Sequence, residues 1–222
     1  MNTAKRLDHI EEYYFSRKLK EVSHLISQGK PIINLGIGSP DLTPPKSTVN
    51  SLIEALKSPS AHKYQSYNGI DSLRHAIKSF YFNNYNVDLN HEYEILPLIG
   101  SKEGIMHISL AFLDEADEVL IPNPGYPTYS SVTKIVGAKP IFYDLNESNS
   151  WLPNIKDLEK KNLSKVKIMW VNYPNMPTGS NCSLSFFNDL ISFCEERNII
   201  LINDNPYSFI LNDNPISLLM AR

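Results

Sequence analysis

Short apolar runs alternate with amphipathic segments along the second half of the chain. The runs are typical of strands buried on both faces of a sheet, and they cover residues 95–99, 119–121, 140–143, 166–171 and 199–202. Apolar residues at helical spacing fill the segments between them, over residues 105–113, 128–136, 155–160 and 187–194. Alternating strands and helices predict βαβ units and a mostly parallel sheet.

The first third of the chain reads as helices separated by a loop rich in glycine and proline. The apolar spacing predicts helices over residues 8–28 and 47–57, and Asp71 is predicted to cap a third. Gly36 and Gly38 follow a short extended segment, but the prolines after them argue against a dinucleotide-binding turn. We therefore interpret this loop as one that offers backbone N–H groups to an anion.

Polar loop residues follow the predicted strands at residues 100–103, 123–126, 172–178 and 203–207. In a parallel sheet these ends share one edge, so they are expected to converge on one crevice. Asp204 ends the most apolar run, where a buried carboxylate is costly unless a cation meets it. The alternative is that Asp204 only caps the next turn. The strand, small-residue turn and helix around Gly100 suit a phosphate at a helix N-terminus, without the spacing of a P-loop.

Composition excludes several classes of protein. The formal charge of −3 gives no basic footprint, so no nucleic-acid partner is expected. Two cysteines without metal-ligand spacing suit a reducing compartment, and the six scattered histidines form no His-x-x-x-His pair, so no metal site is predicted. The N-terminus lacks the pattern of a signal peptide, and no apolar run approaches the ~20 residues of a spanning helix. We expect a cytoplasmic protein without a membrane partner.

The order of the motifs resembles the N-terminal half of class I/II, aspartate-aminotransferase-like enzymes of fold type I, which use pyridoxal phosphate. The motifs are the loop 36–45, Tyr64 with Gly69, residues 100–102, residues 123–126, residues 174–179 and Asp204-x-x-Tyr207. The resemblance implies a three-layer α/β/α large domain with a mostly parallel sheet over residues 46–222, incomplete at its C-terminus. Residues 1–45 would then form an N-terminal arm and part of a small domain.

The same resemblance implies a role for each matching residue. Asp204 would pair with the protonated pyridine nitrogen, and Tyr207 would hydrogen-bond the ring 3-oxygen. Tyr126 would stack on the ring, although core packing is the alternative. Ser101 and Lys102 would donate backbone N–H groups to the phosphate. The alternative for Lys102 is that it only caps the loop with its side chain in solvent, which is compatible with binding through its N–H.

Two further implied roles concern the substrate and a second subunit. Gly38 would donate its N–H to the substrate α-carboxylate. Tyr64 would reach across a homodimer interface to the cofactor phosphate of the neighbouring subunit, unless it is an ordinary surface tyrosine.

The chain departs from the family pattern at two places. Met176 stands where the family has the asparagine of Asn-Pro-Thr-Gly, and methionine cannot donate the hydrogen bonds of that amide. Asn175 is the candidate replacement, and the Met176–Pro177 bond is a candidate cis peptide. The Schiff-base lysine of the family would lie beyond Arg222, and Lys165 is a false match at a strand entry. The chain alone is therefore expected to be inactive and to carry no catalytic lysine.

The favoured function is an aminotransferase that moves an amino group between an L-amino acid and a 2-oxo acid by ping-pong chemistry. A β-eliminating C–S lyase on the same fold is one alternative. The other is a non-catalytic dimerising module, which Met176 and the missing lysine suggest.

Overall fold

The computed structural model describes residues 3–8, 12, 14–36, 38, 40–210 and 212–221. The chain forms two compact units, one of Glu11–Tyr67 and one of Asn68–Arg222 together with Met1–Ile10. The predicted assignment of residues 1–45 to an arm and part of a small domain stays a prediction.

Among the described residues, the smaller unit contains two α-helices and a short 3-10 helix over Pro59–His62. Helix α1 spans Tyr14–Ser27 and helix α2 spans Lys46–Leu56. Helix α1 ends just before Gly29, whose φ of 78° lies in the left-handed region that glycine tolerates. Both predicted helices are confirmed, but the first begins at Tyr14 rather than at residue 8, since Asp8 and Glu12 are not helical. Residues 9–11 and 13 lie outside the described residues.

The larger unit is built on one parallel sheet of four strands among the described residues. Its strands are β1 (Glu118–Asn123), β2 (Lys139–Asp144), β3 (Val166–Val171) and β4 (Ile200–Asn203). They lie side by side in the order β2-β1-β3-β4, and every neighbouring pair is parallel. The predicted strands after residue 118 and their parallel arrangement are confirmed.

In the part of this unit that the structure describes, five α-helices accompany the sheet. They are α3 (Asp71–Tyr85), α4 (Ser101–Phe112), α5 (Pro127–Ile135), α6 (Ile155–Glu159) and α7 (Leu184–Glu195). Within the described residues, no helix has both the length and the apolar character needed to span a membrane.

Apolar side chains from both faces of the sheet form two separate clusters. Because successive residues of a strand point to opposite faces, Val119 and Ile121 join one cluster and Leu120 joins the other. The first cluster contains Ile105 of α4 and Tyr129 of α5, whereas the second contains side chains of α6 and α7. The sheet therefore lies between two helical layers, which confirms the predicted three-layer arrangement.

Two local predictions are wrong. Residues 95–99 form no strand in the described structure. Pro97 has no N–H to give to a ladder, and the Ile99 N–H donates instead to the Glu103 carboxylate at 2.6 Å. Asp71 is the first residue of α3 rather than its cap, since Ile70 occupies the N-cap position without a capping side chain.

The buried face of β1 gives a first test of this fold. Leu120 is 0% exposed, so Leu120→Ala should leave a cavity and lower the free energy of unfolding by about 2–5 kcal/mol. Leu110 on α4 is 60% exposed, and Leu110→Ala should change stability by less than about 0.5 kcal/mol. Urea denaturation followed by circular dichroism measures both, and equal losses would contradict the described core.

Candidate functional site

The order of the strands places a crevice at one edge of the sheet. In the sheet, β2 lies on one side of β1, whereas β3 and β4 lie on the other side. The connections that follow β1 and β3 therefore lead in opposite directions along the sheet. In open α/β sheets, ligands bind at such a point, outside the carboxyl ends of the strands. A cavity of about 190 Å³ lies there, lined by Ser101, Tyr126, Tyr129, Asn172, Met176, Asp204, Pro206 and Tyr207.

Four residues predicted from the sequence line this cavity, namely Ser101, Tyr126, Asp204 and Tyr207. They come from the start of α4, the start of α5 and the loop after β4. The fold thus brings together residues that are up to 106 positions apart in the chain. The predicted convergence is therefore observed for the ends of β1, β3 and β4, and Ser101 joins them although no strand precedes it in the described structure.

Asp204 lies directly after β4 and is held by its backbone. Its N–H donates to the carbonyl oxygen of Val171 at 3.0 Å, and its own carbonyl accepts from Asn172 Nδ2 at 2.6 Å. The side chain is partly buried, and this burial raises the pKa of Asp204 above its ordinary value. The Tyr129 hydroxyl donates to Oδ2 at 2.9 Å and offsets part of the rise. The carboxylate therefore faces the cavity with its charge incompletely compensated.

Tyr129 is a site residue that the sequence reasoning missed. It is fully buried and its ring stacks on Trp170, with centroids 5.0 Å apart and planes 6° from parallel. Burial, followed by the charge of Asp204, raises the pKa of the Tyr129 phenol far above its ordinary value. The phenol therefore stays protonated and acts as a donor. The available signal was its position one helical turn after Tyr126, which puts both rings on one face of α5.

Two asparagines tie the ends of β3 and β4 together. Asn172 uses both ends of its amide, because Nδ2 donates to the Asp204 carbonyl and Oδ1 accepts from the Met176 N–H at 2.8 Å. Asn203 Oδ1 accepts from the Tyr173 N–H at 2.9 Å. Their signal in the sequence was a polar side chain immediately after, or at the end of, an apolar strand.

Tyr126 is positioned by the tight turn after β1. A Cβ atom at Gly125 would overlap the carbonyl oxygen of Pro122, so this close approach requires glycine. Tyr126 forms the N-cap of α5, and its ring meets Tyr129 edge to face with centroids 5.6 Å apart. Lys102 Nζ lies 5.8 Å from the centre of the Tyr126 ring, at the outer limit of a cation–π contact.

Ser101 begins α4, four residues earlier than the predicted helical segment. The first N–H groups of a helix have no partner within the helix, and they carry the positive end of its dipole. Ser101 lines the cavity, so this end of α4 is available for an anion such as phosphate. Glu103 fixes the approach to the helix through its hydrogen bond from Ile99.

In the loop after β3, Asn175 and Met176 are placed differently from the expectation that Asn175 would reach the cofactor. Asn175 is 3% exposed, its Nδ2 donates to the Asn172 carbonyl at 3.2 Å, and its Oδ1 accepts from the Thr178 hydroxyl at 2.7 Å. Met176, not Asn175, lines the cavity. The amide of Asn175 thus supports the loop, and its predicted cofactor contact stays a prediction. The Met176–Pro177 bond is cis, as predicted.

Three other predicted positions lie away from the cavity lining or in the other unit. Lys165 lies immediately before β3, where its carbonyl accepts from the Glu118 N–H at 2.8 Å, so it is a strand-entry residue. Gly38 and Tyr64 belong to the smaller unit. Tyr64 is 89% exposed and meets Tyr67 edge to face at 6.4 Å. The roles predicted for Gly38 and Tyr64 stay predictions.

The sequence of this chain is similar to a known protein family and to several of its members. The profile of the family described as aminotransferase class I and II matches residues 30–221. The LL-diaminopimelate aminotransferase of Dehalococcoides mccartyi is 40% identical over 208 residues, which cover 94% of this chain and 54% of that protein. The enzyme of the same name from Aquifex aeolicus is 39% identical over 203 residues, covering 91% and 52%. The chain thus spans about half the length of these relatives.

Comparison by structure agrees. The apo structure of BacF from Bacillus subtilis superposes with a TM-score of 0.91 at 34% identity, covering 100% of this chain and 57% of that one. Alanine aminotransferase from Pyrococcus furiosus gives 0.87 at 28% identity, covering 98% and 56%. Both the resemblance inferred from the motifs and the predicted fold type I architecture are confirmed. Enzymes of this family depend on pyridoxal phosphate.

Because the Asp204 carboxylate is partly buried, its replacement by a neutral side chain should stabilise the folded chain in a pH-dependent way. The raised pKa of Asp204 means that folding favours the protonated form, so the ionised side chain destabilises the folded chain as pH rises through that pKa. Without cofactor, Asp204→Asn should raise the melting temperature by a few degrees at about pH 7. The gain should disappear near about pH 3, where an aspartate is also protonated in the unfolded chain.

Thermal unfolding at the two pH values measures this effect. Asp189→Asn, on the exposed face of α7, is the matched control and should change little. An Asp204→Asn chain that is less stable than the original at neutral pH would contradict the incomplete compensation of this carboxylate.

Proposed function

This chain belongs to the class I and II aminotransferase family, and on that premise we propose that the protein carrying it transfers an amino group between an L-amino acid and a 2-oxo acid. The observation that carries the proposal is Asp204, a partly buried carboxylate at a strand end that faces a cavity and receives a hydrogen bond from Tyr129. Such a group favours a cationic ligand, and a protonated pyridine nitrogen is one.

The residues around the cavity fit pyridoxal phosphate. Asp204 would meet the ring nitrogen, the Tyr207 hydroxyl would hydrogen-bond the 3-oxygen, and Tyr126 would cover one face of the ring. The N–H groups of Ser101 and Lys102, at the N-terminus of α4, would hold the phosphate. When bound, the cofactor supplies an electron sink for the negative charge that develops at the substrate α-carbon.

The protein's own contribution is to hold a proton at the pyridine nitrogen and to fix the ring. Asp204 does the first, because an adjacent carboxylate favours the charged form of the nitrogen. Tyr129 is a positioning residue, since its hydroxyl holds Oδ2 of Asp204 while its ring is locked against Trp170. Met176 contributes apolar surface to the cavity wall.

The proposal extends to the predictions that concern other parts of the protein. We propose a homodimer in which Tyr64 reaches the cofactor of the neighbouring subunit, and we propose that Gly38 binds the substrate carboxylate. We also propose a cytoplasmic location, which suits two cysteines that are free rather than joined in a disulfide. The relatives named LL-diaminopimelate aminotransferase make that diamino acid the first amino donor to test.

Loading and turnover of the protein that carries this sequence test the function. We expect one pyridoxal phosphate per chain, amino transfer that requires a 2-oxo acid, and parallel lines in double-reciprocal plots. Asp204→Ala should weaken cofactor binding by about tenfold or more, because a charge-assisted contact is lost. Asp189→Ala is the control on the surface of α7.

Each alternative function gives a distinct result in the same assays. Release of pyruvate and a thiol without a 2-oxo acid would replace the aminotransferase with a C–S lyase. Cofactor binding that is absent, or unaffected by Asp204→Ala, would overturn the proposed site and favour a non-catalytic module.

The hydrogen bond from Tyr129 gives a second prediction. This bond lowers the pKa of Asp204, so its removal should raise that pKa. Asp204 would then take up its proton at a higher pH, and Tyr129→Phe should lose cofactor binding at a higher pH than the original protein does. Cofactor titrations across the acidic range measure the shift.

Tyr143→Phe is the matched control for that experiment. Tyr143 is equally buried, but its hydroxyl donates to the Trp170 carbonyl at 2.6 Å and its side chain belongs to the cluster on the other face of the sheet. Its loss should lower stability by about 1 kcal/mol and leave the pH dependence unchanged. Equal pH profiles for Tyr129→Phe and the original protein would refute the positioning role.

A further inference from the structure

A cluster of three potential metal ligands lies outside the cavity, at the start of α3. It consists of Asp71, His75 and His91, and one ligand atom of each residue lies within 4.8 Å of the others. His75 Nδ1 is 3.1 Å from Asp71 Oδ2, and His91 Nε2 is 3.6 Å from Asp71 Oδ1. The two imidazole rings face each other with centroids 3.8 Å apart.

The chain brings these side chains together through two local features. Asp71 and His75 are four residues apart on α3, so they share one face of the helix. His91 lies in a turn that is closed by the Glu94 N–H donating to the Asn90 carbonyl at 2.9 Å and by the Asn90 N–H donating to the Glu94 carboxylate at 2.6 Å. The backbone therefore fixes the point from which the third ligand projects.

We propose that Asp71, His75 and His91 bind a divalent transition-metal cation such as zinc. Two imidazole nitrogens and one carboxylate oxygen are a donor set that suits zinc and its neighbours in the first transition row, whereas calcium and magnesium prefer oxygen alone. Three protein ligands leave a fourth tetrahedral position for water. Ligand atoms around a tetrahedral zinc ion lie roughly 3.3 Å apart. The His75 and His91 rings, whose planes are tilted by 38°, must therefore turn toward a common point, and His75 Nδ1 must exchange its 3.1 Å contact with the Asp71 backbone carbonyl for the ion.

The charges around the cluster indicate how the ion would be held. The Arg74 guanidinium lies 3.3 Å from Asp71 Oδ1, so Oδ2 is the oxygen better placed to ligate. Arg74 orients the carboxylate, and its charge also limits the affinity. Lys78 does not compete, because it pairs with Asp88 at 2.8 Å. Side-chain exposures of 63%, 53% and 26% for Asp71, His75 and His91 leave the site open to an incoming ion.

The sequence alone predicted no metal site. An Asp-x-x-x-His spacing on a helix is visible in it, but the second histidine follows 16 residues later and only the fold returns it to α3. A bound ion would fasten the first turn of α3 to the turn at residues 91–94. The site is independent of the proposed cofactor chemistry, since none of its ligands lines the cavity.

Titration of the chelator-treated protein with zinc chloride tests the proposal. Isothermal calorimetry should show one saturable ion per chain, and cobalt should give the visible absorption of a tetrahedral site. Asp71→Asn, His75→Gln and His91→Gln should each weaken binding by at least about tenfold. His107→Gln, which removes an exposed histidine of α4 outside the cluster, should bind zinc as the original protein does.

Melting temperature and far-UV circular dichroism separate loss of zinc binding from loss of folding. Zinc should raise the melting temperature of the original protein and of His107→Gln, and it should not raise that of His91→Gln. Far-UV circular dichroism confirms that each variant is folded. Failure of the original protein to saturate with zinc, or undiminished binding by the folded His91→Gln variant, would overturn the proposal and leave an ordinary ion-pair cluster.

Discussion

The carboxylate of Asp204 is the constraint on which the rest of the larger unit depends. A charge at the end of a buried strand raises the free energy of the folded chain unless other groups compensate it. Tyr129 supplies one hydrogen bond, and the rise in the pKa of Asp204 shows that this compensation is incomplete. The fold therefore retains the destabilising Asp204 carboxylate. A cationic ligand would bind more tightly because it would neutralise this charge. Such conflicts between stability and local structure are expected at functional sites.

The surrounding structure keeps this carboxylate fixed rather than letting it turn toward water. Asn172 holds the Asp204 carbonyl, and Val171 accepts its N–H, so the backbone has little freedom. Tyr129 is immobilised on Trp170, whose position in β3 is set by the sheet. A hydrogen bond between residues 75 positions apart in the chain is thus supported on both sides by the core. A preorganised charge of this kind loses little energy to reorganisation when a ligand arrives.

Local patterns predicted the parts of the structure that depend on local chemistry. The strands from β1 to β4 follow from apolar runs, and the position of Asp204 follows from the end of one run. The sequence marks the positions of Tyr129 and Asn172, but not their roles, because these arise from contacts across the sheet. The segment 95–99 has strand-like composition, yet a strand needs a neighbour and free N–H groups, and here Pro97 and the Glu103 carboxylate remove two of them. The cluster around Asp71 shows the same limit, since its third ligand is brought in by a turn.

Met176 changes the distribution of hydrogen bonds around the cavity. An asparagine at this position could donate to a bound ligand, whereas methionine presents apolar, polarisable surface. The neighbouring amides are already engaged in the described structure, because Asn175 supports its own loop and Asn172 supports Asp204 and the Met176 N–H. The predicted contact between Asn175 and the cofactor stays a prediction. If the cofactor lies as proposed and Asn175 keeps its contacts within the loop, the Tyr207 hydroxyl would have a larger influence on the electron distribution of the ring than it would beside an asparagine. On the proposed arrangement, the loop after β3 would contribute apolar surface to the cavity through Met176, while polar recognition would be concentrated at the end of β4 and the start of α4.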